Sequence, residues 1–309
     1  MLRSGAVSAA FADRFVQSAR RLGHPLCVGI DPHLGLIPRV FRAGEMRPGT
    51  PETAAAVERW CLALLDRVAG RVAAVKPQSA FFEALGPPGA EVLARVLAEA
   101  RARRLLVVLD AKRGDVGSTA EAYAAAYLGP AAPYAADALT LNTYLGLDSL
   151  EPFIDAALTG GAGLFVVLRS SNAGARDFQD LPAPQRPLYE RVAEALGGQA
   201  KRLRGPETEW SGLGVVVGAT WPEESRRVRE ILPRSLFLVP GYGAQGGSAA
   251  DAVAGFVRGP DGRLEGGVVA SSRAIGFPPE GRDADAATWE RAVDAALASA
   301  IVQLTAAVS

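Results

Sequence analysis

The chain is a succession of short apolar runs that stop abruptly at polar residues, separated by longer stretches in which apolar positions recur every three or four residues. Apolar runs without alternation suit strands buried on both faces, and the amphipathic stretches suit helices packed over them. In chain order the pattern predicts an N-terminal helix around residues 8–22 and a first strand over 26–30, which closes on Asp31-Pro32. A helix near 51–69 leads to a second strand over 72–78 with Lys76 near its end, and a helix at about 89–103 leads to a third strand ending in Asp110 and Lys112. After a helix over 118–128, a fourth strand is expected at 138–142 and a fifth at 163–168, with no helix assigned between them. The proline-containing stretch 172–187 reads as a functional loop before a helix over 187–203. A sixth strand at 215–217, a helix at 222–231, strands at 236–239 and 267–270, and a final helix at about 285–306 complete the chain.

Eight strands alternating with helices, each ending in glycine or polar residues, predict an α/β fold: one (β/α)8 TIM barrel domain over 1–309, with an N-terminal helix, extended loops and its site at the C-terminal rim of the strands. An open doubly wound sheet is the alternative, because periodicity does not report closure.

Composition narrows the function classes. Hydrophobic residues make up 49% of the chain, enough for one large core, and the formal net charge is zero with no basic block, so no nucleic-acid surface is expected. No run approaches eighteen uninterrupted apolar residues, and the N-terminus lacks the charged-then-apolar order of a signal peptide. A cytoplasmic protein with no membrane partner is expected. Cys27 and Cys61 fall in a strand and a helix, and His24 and His33 lack paired-ligand spacing, so no metal site is expected. Of 33 lysines and arginines, only Lys76, Lys112 and Lys201 are lysine. Lysine offers a compact ammonium able to release its proton, which a guanidinium does not. Two of these three lie at strand ends.

The candidate chemistry concentrates on the third strand. Its apolar run ends in Asp110-Ala111-Lys112-Arg113-Gly114-Asp115, an Asp-x-Lys-x-x-Asp cluster. Alternation places Asp110 and Lys112 on one side of the strand, with Asp115 in the loop beyond. Unpaired charges at a buried strand end cost several kcal/mol each, so they either neutralise one another in a network or serve a ligand. The other strand ends add Asp31, Lys76, Thr119, Ser171, Gln245 and Arg273.

In order, Val28-Gly29-Ile30-Asp31-Pro32, Val75-Lys76-Pro77-Gln78, the stretch Leu109 to Thr119, Ser170-Ser171-Asn172 and Pro240-Gly241-Tyr242-Gly243-Ala244-Gln245-Gly246-Gly247 resemble the motifs of the orotidine 5′-phosphate decarboxylase family, in its longer bacterial branch. Ala173 stands where that branch usually has proline, and Val116 where isoleucine is commoner. The resemblance implies conversion of orotidine 5′-monophosphate to UMP and carbon dioxide without a cofactor. By the same resemblance, Lys112 is the proton donor, flanked by Asp110 and Asp115 and balanced by Lys76. Asp31 with Lys76 would hold the ribose, Ser171 and Gln245 would contact the base and close a loop, and Gln245 and Arg273 would grip the phosphate. It further implies a homodimer in which Asp115 and Thr119 complete the neighbour's site.

The segment Gly241 to Gly246 also fits Gly-x-Gly-x-x-Gly, but no later strand ends in the acidic residue a dinucleotide site needs, and a phosphate loop after the seventh strand of a barrel is the better account. Two other functions remain open on the residues alone. A metal-dependent sugar-phosphate lyase or decarboxylase on a related barrel shares Asp-x-Lys-x-x-Asp, although Lys76 would repel Mg²⁺ where such relatives place an acidic ligand. A non-catalytic nucleotide-phosphate sensor would have no need of a complete Lys-Asp-Lys-Asp array. The insertions 39–51 and 172–187 have no role assigned from sequence.

Overall fold

The computed structural model describes residues 9–243 and 246–309. Eight parallel strands close into a barrel in sequential order: β1 (Leu26–Ile30), β2 (Ala74–Pro77), β3 (Leu106–Arg113), β4 (Ala138–Leu141), β5 (Gly163–Arg169), β6 (Ser211–Val217), β7 (Ser235–Val239) and β8 (Gly267–Ser271). Closure is complete, with β8 pairing β1 through Leu26 and Val269. The expected barrel is therefore the observed one, and the open sheet is excluded.

Alternation along each strand divides the core in two. Leu26, Val28, Val75, Val107, Leu109, Leu164, Val166, Val215 and Val269 face outward into a layer shared with the surrounding helices. Cys27, Val108, Phe165, Val216, Leu238 and Ala270 fill the barrel interior. The N-terminal helix α1 (Phe11–Leu22) closes the end of the barrel away from the C-terminal rim. Phe11 and Phe15 belong to the interior cluster, and Phe11 meets Phe165 edge-on with ring centroids 5.9 Å apart. Its buried Asp13 accepts hydrogen bonds from the backbone N–H and the hydroxyl of Thr208 (2.8 and 2.6 Å), which fixes the helix to the β6 approach.

The helices expected around the barrel are present at α2 (Pro51–Val68), α3 (Pro87–Ala102) and α4 (Gly117–Tyr127). A helix that the sequence pattern did not supply, α5 (Glu151–Gly160), lies between β4 and β5. It is only ten residues long, too short for its periodicity to stand out, although Pro152 at its start and left-handed Gly161 at its end are the usual punctuation. After β5, the stretch expected as a loop holds a short helix, Arg176–Gln179, and a two-stranded hairpin, Pro182–Ala183 with Arg186–Pro187. The helices α6 (Leu188–Arg202), α7 (Pro222–Ile231) and α8 (Ala286–Val308) complete the outer layer, and a second hairpin pairs Val257–Arg258 with Leu264–Glu265.

β6 is seven residues long where only 215–217 were expected, because Gly212 and Gly214 dilute its apolar signal. Gly214 faces inward, and a Cβ there would lie 2.2 Å from the Leu236 carbonyl oxygen and 2.7 Å from the Phe165 ring. The large interior phenylalanine thus requires the glycine opposite it. Among the described residues α8 is the one helix long and apolar enough to cross a membrane. It buries Trp289, Val293, Leu297, Ala300, Leu304 and Val308 along one face, the spacing of a helix packed on a core.

Candidate active site

At the C-terminal rim the inward faces of β1, β2, β3, β5, β6, β7 and β8 open into a cleft of about 310 Å³. Its floor is apolar, made by Val167, Val216, Leu238 and Ala270, and its polar wall holds Asp31, Lys76, Gln78, Asp110 and Lys112. The same alternation that fills the interior raises these polar side chains at the next inward positions: Val108 precedes Asp110 on β3, and Ala74 precedes Lys76 on β2.

Asp110 is the hub. One carboxylate oxygen accepts from Lys76 Nζ (2.9 Å) and Gln78 Nε2 (3.1 Å), the other from Lys112 Nζ (2.6 Å) and Thr140 Oγ1 (2.9 Å). Burial by itself would raise this carboxyl, but the two ammonium groups outweigh it and hold Asp110 well below the usual carboxylate range. Lys76 is the mirror case. Burial works to lower it, while Asp110 and Asp31 outweigh that effect and hold it above the usual lysine range. Both therefore remain ionised at neutral pH. Gln78 and Thr140 were absent from the sequence-based site. Thr140 is the one polar residue in β4 and Gln78 closes the Val-Lys-Pro-Gln run, signals that only a known partner would have made meaningful.

Lys112 reaches Asp110 by a route that simple alternation does not describe. The β3–β4 register shifts between Leu109 and Arg113, and Lys112 sits in the left-handed region at φ 48°. Such a conformation costs about 1–3 kcal/mol for a non-glycine residue and persists only where its surroundings enforce it. Here Thr140 Oγ1 accepts from the backbone N–H groups of both Ala111 (3.0 Å) and Lys112 (2.9 Å) while donating to Asp110. The bulge turns the Lys112 ammonium back onto Asp110 and leaves the side chain 49% exposed at the mouth, where a ligand can meet it.

Asp31 lines the same cleft, and its buried Oδ1 accepts no hydrogen bond among the described residues. An unpaired buried carboxylate oxygen beside a polar cleft is a standing acceptor for a ligand hydroxyl. Ser171 and Arg273 also line the cleft. Gln245 lies outside the described residues. Asp115 and Thr119 do not line this cleft. Asp115 is half-buried, with Oδ1 accepting from the Val116 N–H (2.8 Å), and Thr119 is exposed. Lys201, the third lysine, is exposed in the last turn of α6, far along the chain's outer layer.

The thiols take no part: both cysteines are buried, and burial pushes the Cys27 thiol up to about 12 and Cys61 well above its ordinary value. Among the described residues no cluster of three metal-ligating side chains is present.

The ion-pair array makes a stability prediction. The folded-state value of Asp110 is depressed, so its contribution is fully present above the unfolded carboxylate value of about 4 and is lost as pH falls through the folded value. Lys76 is raised, so its contribution persists below about pH 10 and is lost only in stronger alkali. Glu83, Asp251, Asp261 and Asp285 are also held low, so the wild-type protein should lose stability below about pH 4, and Asp110→Asn should flatten part of that slope. Urea unfolding from pH 2.5 to 6 measures it (a range of about 3.5 units), and identical slopes for the two proteins would refute the assignment.

Comparison with known proteins gives a consistent result. The sequence model of the "Orotidine 5'-phosphate decarboxylase / HUMPS family" matches residues 24–275. Over 294 residues the chain is 42% identical to an orotidine 5′-phosphate decarboxylase of Rhodopirellula baltica, covering 93% of this chain and 96% of that one. It is 41% identical to the enzyme so named from Nocardioides sp. over 227 residues, 74% and 79% of the two chains. The solved structure of Leishmania donovani OMP decarboxylase superposes with a TM-score of 0.71 at 32% identity, covering 96% of this chain and 98% of that chain.

Proposed function

The chain belongs to the orotidine 5′-phosphate decarboxylase family, and on that premise we propose that it converts orotidine 5′-monophosphate to UMP and carbon dioxide, a carboxy-lyase step of de novo pyrimidine biosynthesis, with Lys112 as the proton donor. The observation that carries the mechanism is the Lys76–Asp110–Lys112 array at the rim of an apolar-floored cleft.

Breaking the C6–carboxylate bond releases carbon dioxide and leaves the electron pair on C6, with no adjacent carbonyl to accept it. The site must stabilise that charge electrostatically and then protonate it. The Lys112 ammonium does both: it faces the developing carbanion, then transfers its proton to C6 and regains one from solvent. Asp110 keeps that ammonium charged and aimed, and Lys76, paired to the other oxygen of Asp110, fixes the carboxylate in place. The free Oδ1 of Asp31 is suited to a ribose hydroxyl. Arg273, with Gln245, would hold the phosphate, where a guanidinium can pair with two oxygens at once.

In this reading the enzyme works in the cytoplasm as a homodimer in which Asp115 and Thr119 complete the partner's site. Two features support the dimer. Both residues stand outside their own cleft, and the exposed apolar side chains Val116, Tyr144, Leu145 and Leu147 lie on the loops after β3 and β4, the same side of the rim. Those loops run together, since the Asn142 N–H donates to the Arg113 carbonyl (2.8 Å). An apolar rim of this kind is an interface signature.

The direct test is the ultraviolet loss of orotidine 5′-monophosphate on mixing with purified protein. Turnover unchanged by EDTA is the expected result. Turnover abolished by EDTA and restored by Mg²⁺ would favour the metal-dependent lyase, and binding without turnover would favour the sensor.

A further inference from the structure

The insertion after β5 has a structural task that the proposed mechanism does not use. Ser170, Ser171 and Asn172 form part of the cleft wall, and their backbone is held by side chains from two directions. From the insertion, Gln179 Oε1 accepts from the Ser170 N–H (3.0 Å) and Gln179 Nε2 donates to Ser170 Oγ (3.0 Å). From the segment after β6, Trp221 Nε1 donates to the Ser170 carbonyl (2.8 Å) and Thr220 Oγ1 to the Ser171 carbonyl (3.1 Å). Gly218 presses on the same point: a Cβ there would lie 2.7 Å from Ser171 Cα.

Trp221 is itself immobilised. The Arg169 guanidinium, 1% exposed, lies 4.1 Å from the centroid of its ring and pairs with Asp180 of the insertion (2.8 Å) and Glu224 of α7 (3.4 Å). Arg176, also of the insertion, lies 4.9 Å from the same ring. One buried cation thus ties the insertion, α7 and the end of β5 together around the indole that holds Ser170. An isolated serine loop would sample many conformers. Here its carbonyls and an N–H are each spoken for, so the Ser171 hydroxyl is presented from a fixed backbone.

We infer that Gln179 and Trp221 are positioning residues that act on substrate through Ser171, so that the insertion 172–187 serves base recognition. The inference rests on the reading above, in which Ser171 contacts the base. Wild-type turnover of orotidine 5′-monophosphate checks that reading separately.

The test is a double-mutant cycle in kcat/KM for orotidine 5′-monophosphate with Ser171→Ala, Gln179→Ala and the double variant, each checked for folding by melting temperature. Ser171→Ala and Gln179→Ala should each lower kcat/KM by about 10-fold or more, and the double variant should be no slower than Ser171→Ala alone. Gln179→Glu should restore most of the loss, because a carboxylate still accepts from the Ser170 N–H and the hydroxyl can turn to donate to it. Trp221→Phe, which keeps a six-membered aromatic ring and removes the N–H, should resemble Gln179→Ala. Losses that multiply in the double variant, or a Gln179→Ala protein that melts earlier yet retains wild-type kcat/KM, would overturn the inference. A neutral Ser171→Ala in an enzyme that Lys112→Ala inactivates would overturn it too, by removing the Ser171 contact while leaving the decarboxylase reading intact.

Discussion

Lys112→Ala should leave a folded protein whose turnover of orotidine 5′-monophosphate is lower by at least about 10⁴-fold, because one side chain supplies both the electrostatic stabilisation of the carbanion and its proton. Folding should survive. The Lys112 side chain is half exposed, and Asp110 keeps Lys76, Gln78 and Thr140 as partners when Lys112 is gone. Removal even relieves the cost of the left-handed backbone only if alanine leaves the bulge, and Thr140 still holds the N–H groups of residues 111 and 112. Arg273→Ala should fail differently, raising KM far more than it lowers kcat at saturation, since the phosphate is remote from the bond broken. The dimer reading adds a sharper form of the experiment. If Asp115 serves the neighbour's cleft, mixing inactive Lys112→Ala and Asp115→Ala chains gives heterodimers with one intact site, about a quarter of all sites in a random mixture. No recovery on mixing would mean that each chain completes its own site. Near-normal turnover by Lys112→Ala would dismiss the proton-donor assignment.

Arg229→Ala should lower stability by about 3–5 kcal/mol without changing kcat of the molecules that remain folded. Arg229 is buried at the end of the barrel opposite the cleft, where no carboxylate among the described residues pairs with it. It donates instead to the carbonyls of Gly255 (2.6 Å), Leu232 (3.0 Å), Ser235 (2.7 Å) and Gly266 (2.8 Å). Its guanidinium lies over Phe237, 3.8 Å from the ring centroid, and near Trp210 at 4.9 Å. Burial, helped by the neighbouring Arg234, pushes it down to about 9, so it stays charged at neutral pH. Ser235 and Gly266 stand at the entries to β7 and β8, so one side chain pins the starts of two strands and the end of α7. Truncation removes a donor from each of four carbonyl oxygens, of which Leu232 and Gly266 keep only the backbone N–H groups of Ser235 (3.3 Å) and Phe237 (3.0 Å), and opens a cavity beside two aromatic rings. Arg229→Lys should recover only part of the loss, because an ammonium has fewer donors and no planar fork. The check is the urea midpoint of each variant. A midpoint equal to wild type for Arg229→Ala would mean that water replaces the guanidinium at little cost.

The two residues illustrate where the sequence was legible. Lys112 stood out because charge at the end of an apolar run is costly unless it is used, and the chain around it uses arginine almost everywhere else. Arg229 did not. In Arg226-Arg227-Val228-Arg229, on the helix expected over 222–231, its neighbours Arg226 and Arg227 do pair with glutamates, the exposed Glu223 and Glu230 and the buried Glu190, and nothing local marks Arg229 as different. Gln179 was hidden for a related reason: its partner Ser170 is nine residues away across an irregular segment, with no period to register the contact. The short helix Glu151–Gly160 was lost because ten residues give the apolar pattern too few turns to repeat.

By itself the sequence determined the strand count and the placement of Lys76, Asp110 and Lys112 at the ends of adjacent strands, because these follow from the succession of apolar runs and the cost of burying charge. Only the tertiary structure decided that the strands close between β1 and β8, and that a bulge turns Lys112 back onto Asp110. It also decided that Asp115 and Thr119 do not line their own cleft, and that Arg229 is a buried cation among carbonyls. Each of these is a contact between segments far apart in the chain, and local pattern carries no record of which distant partner a side chain meets.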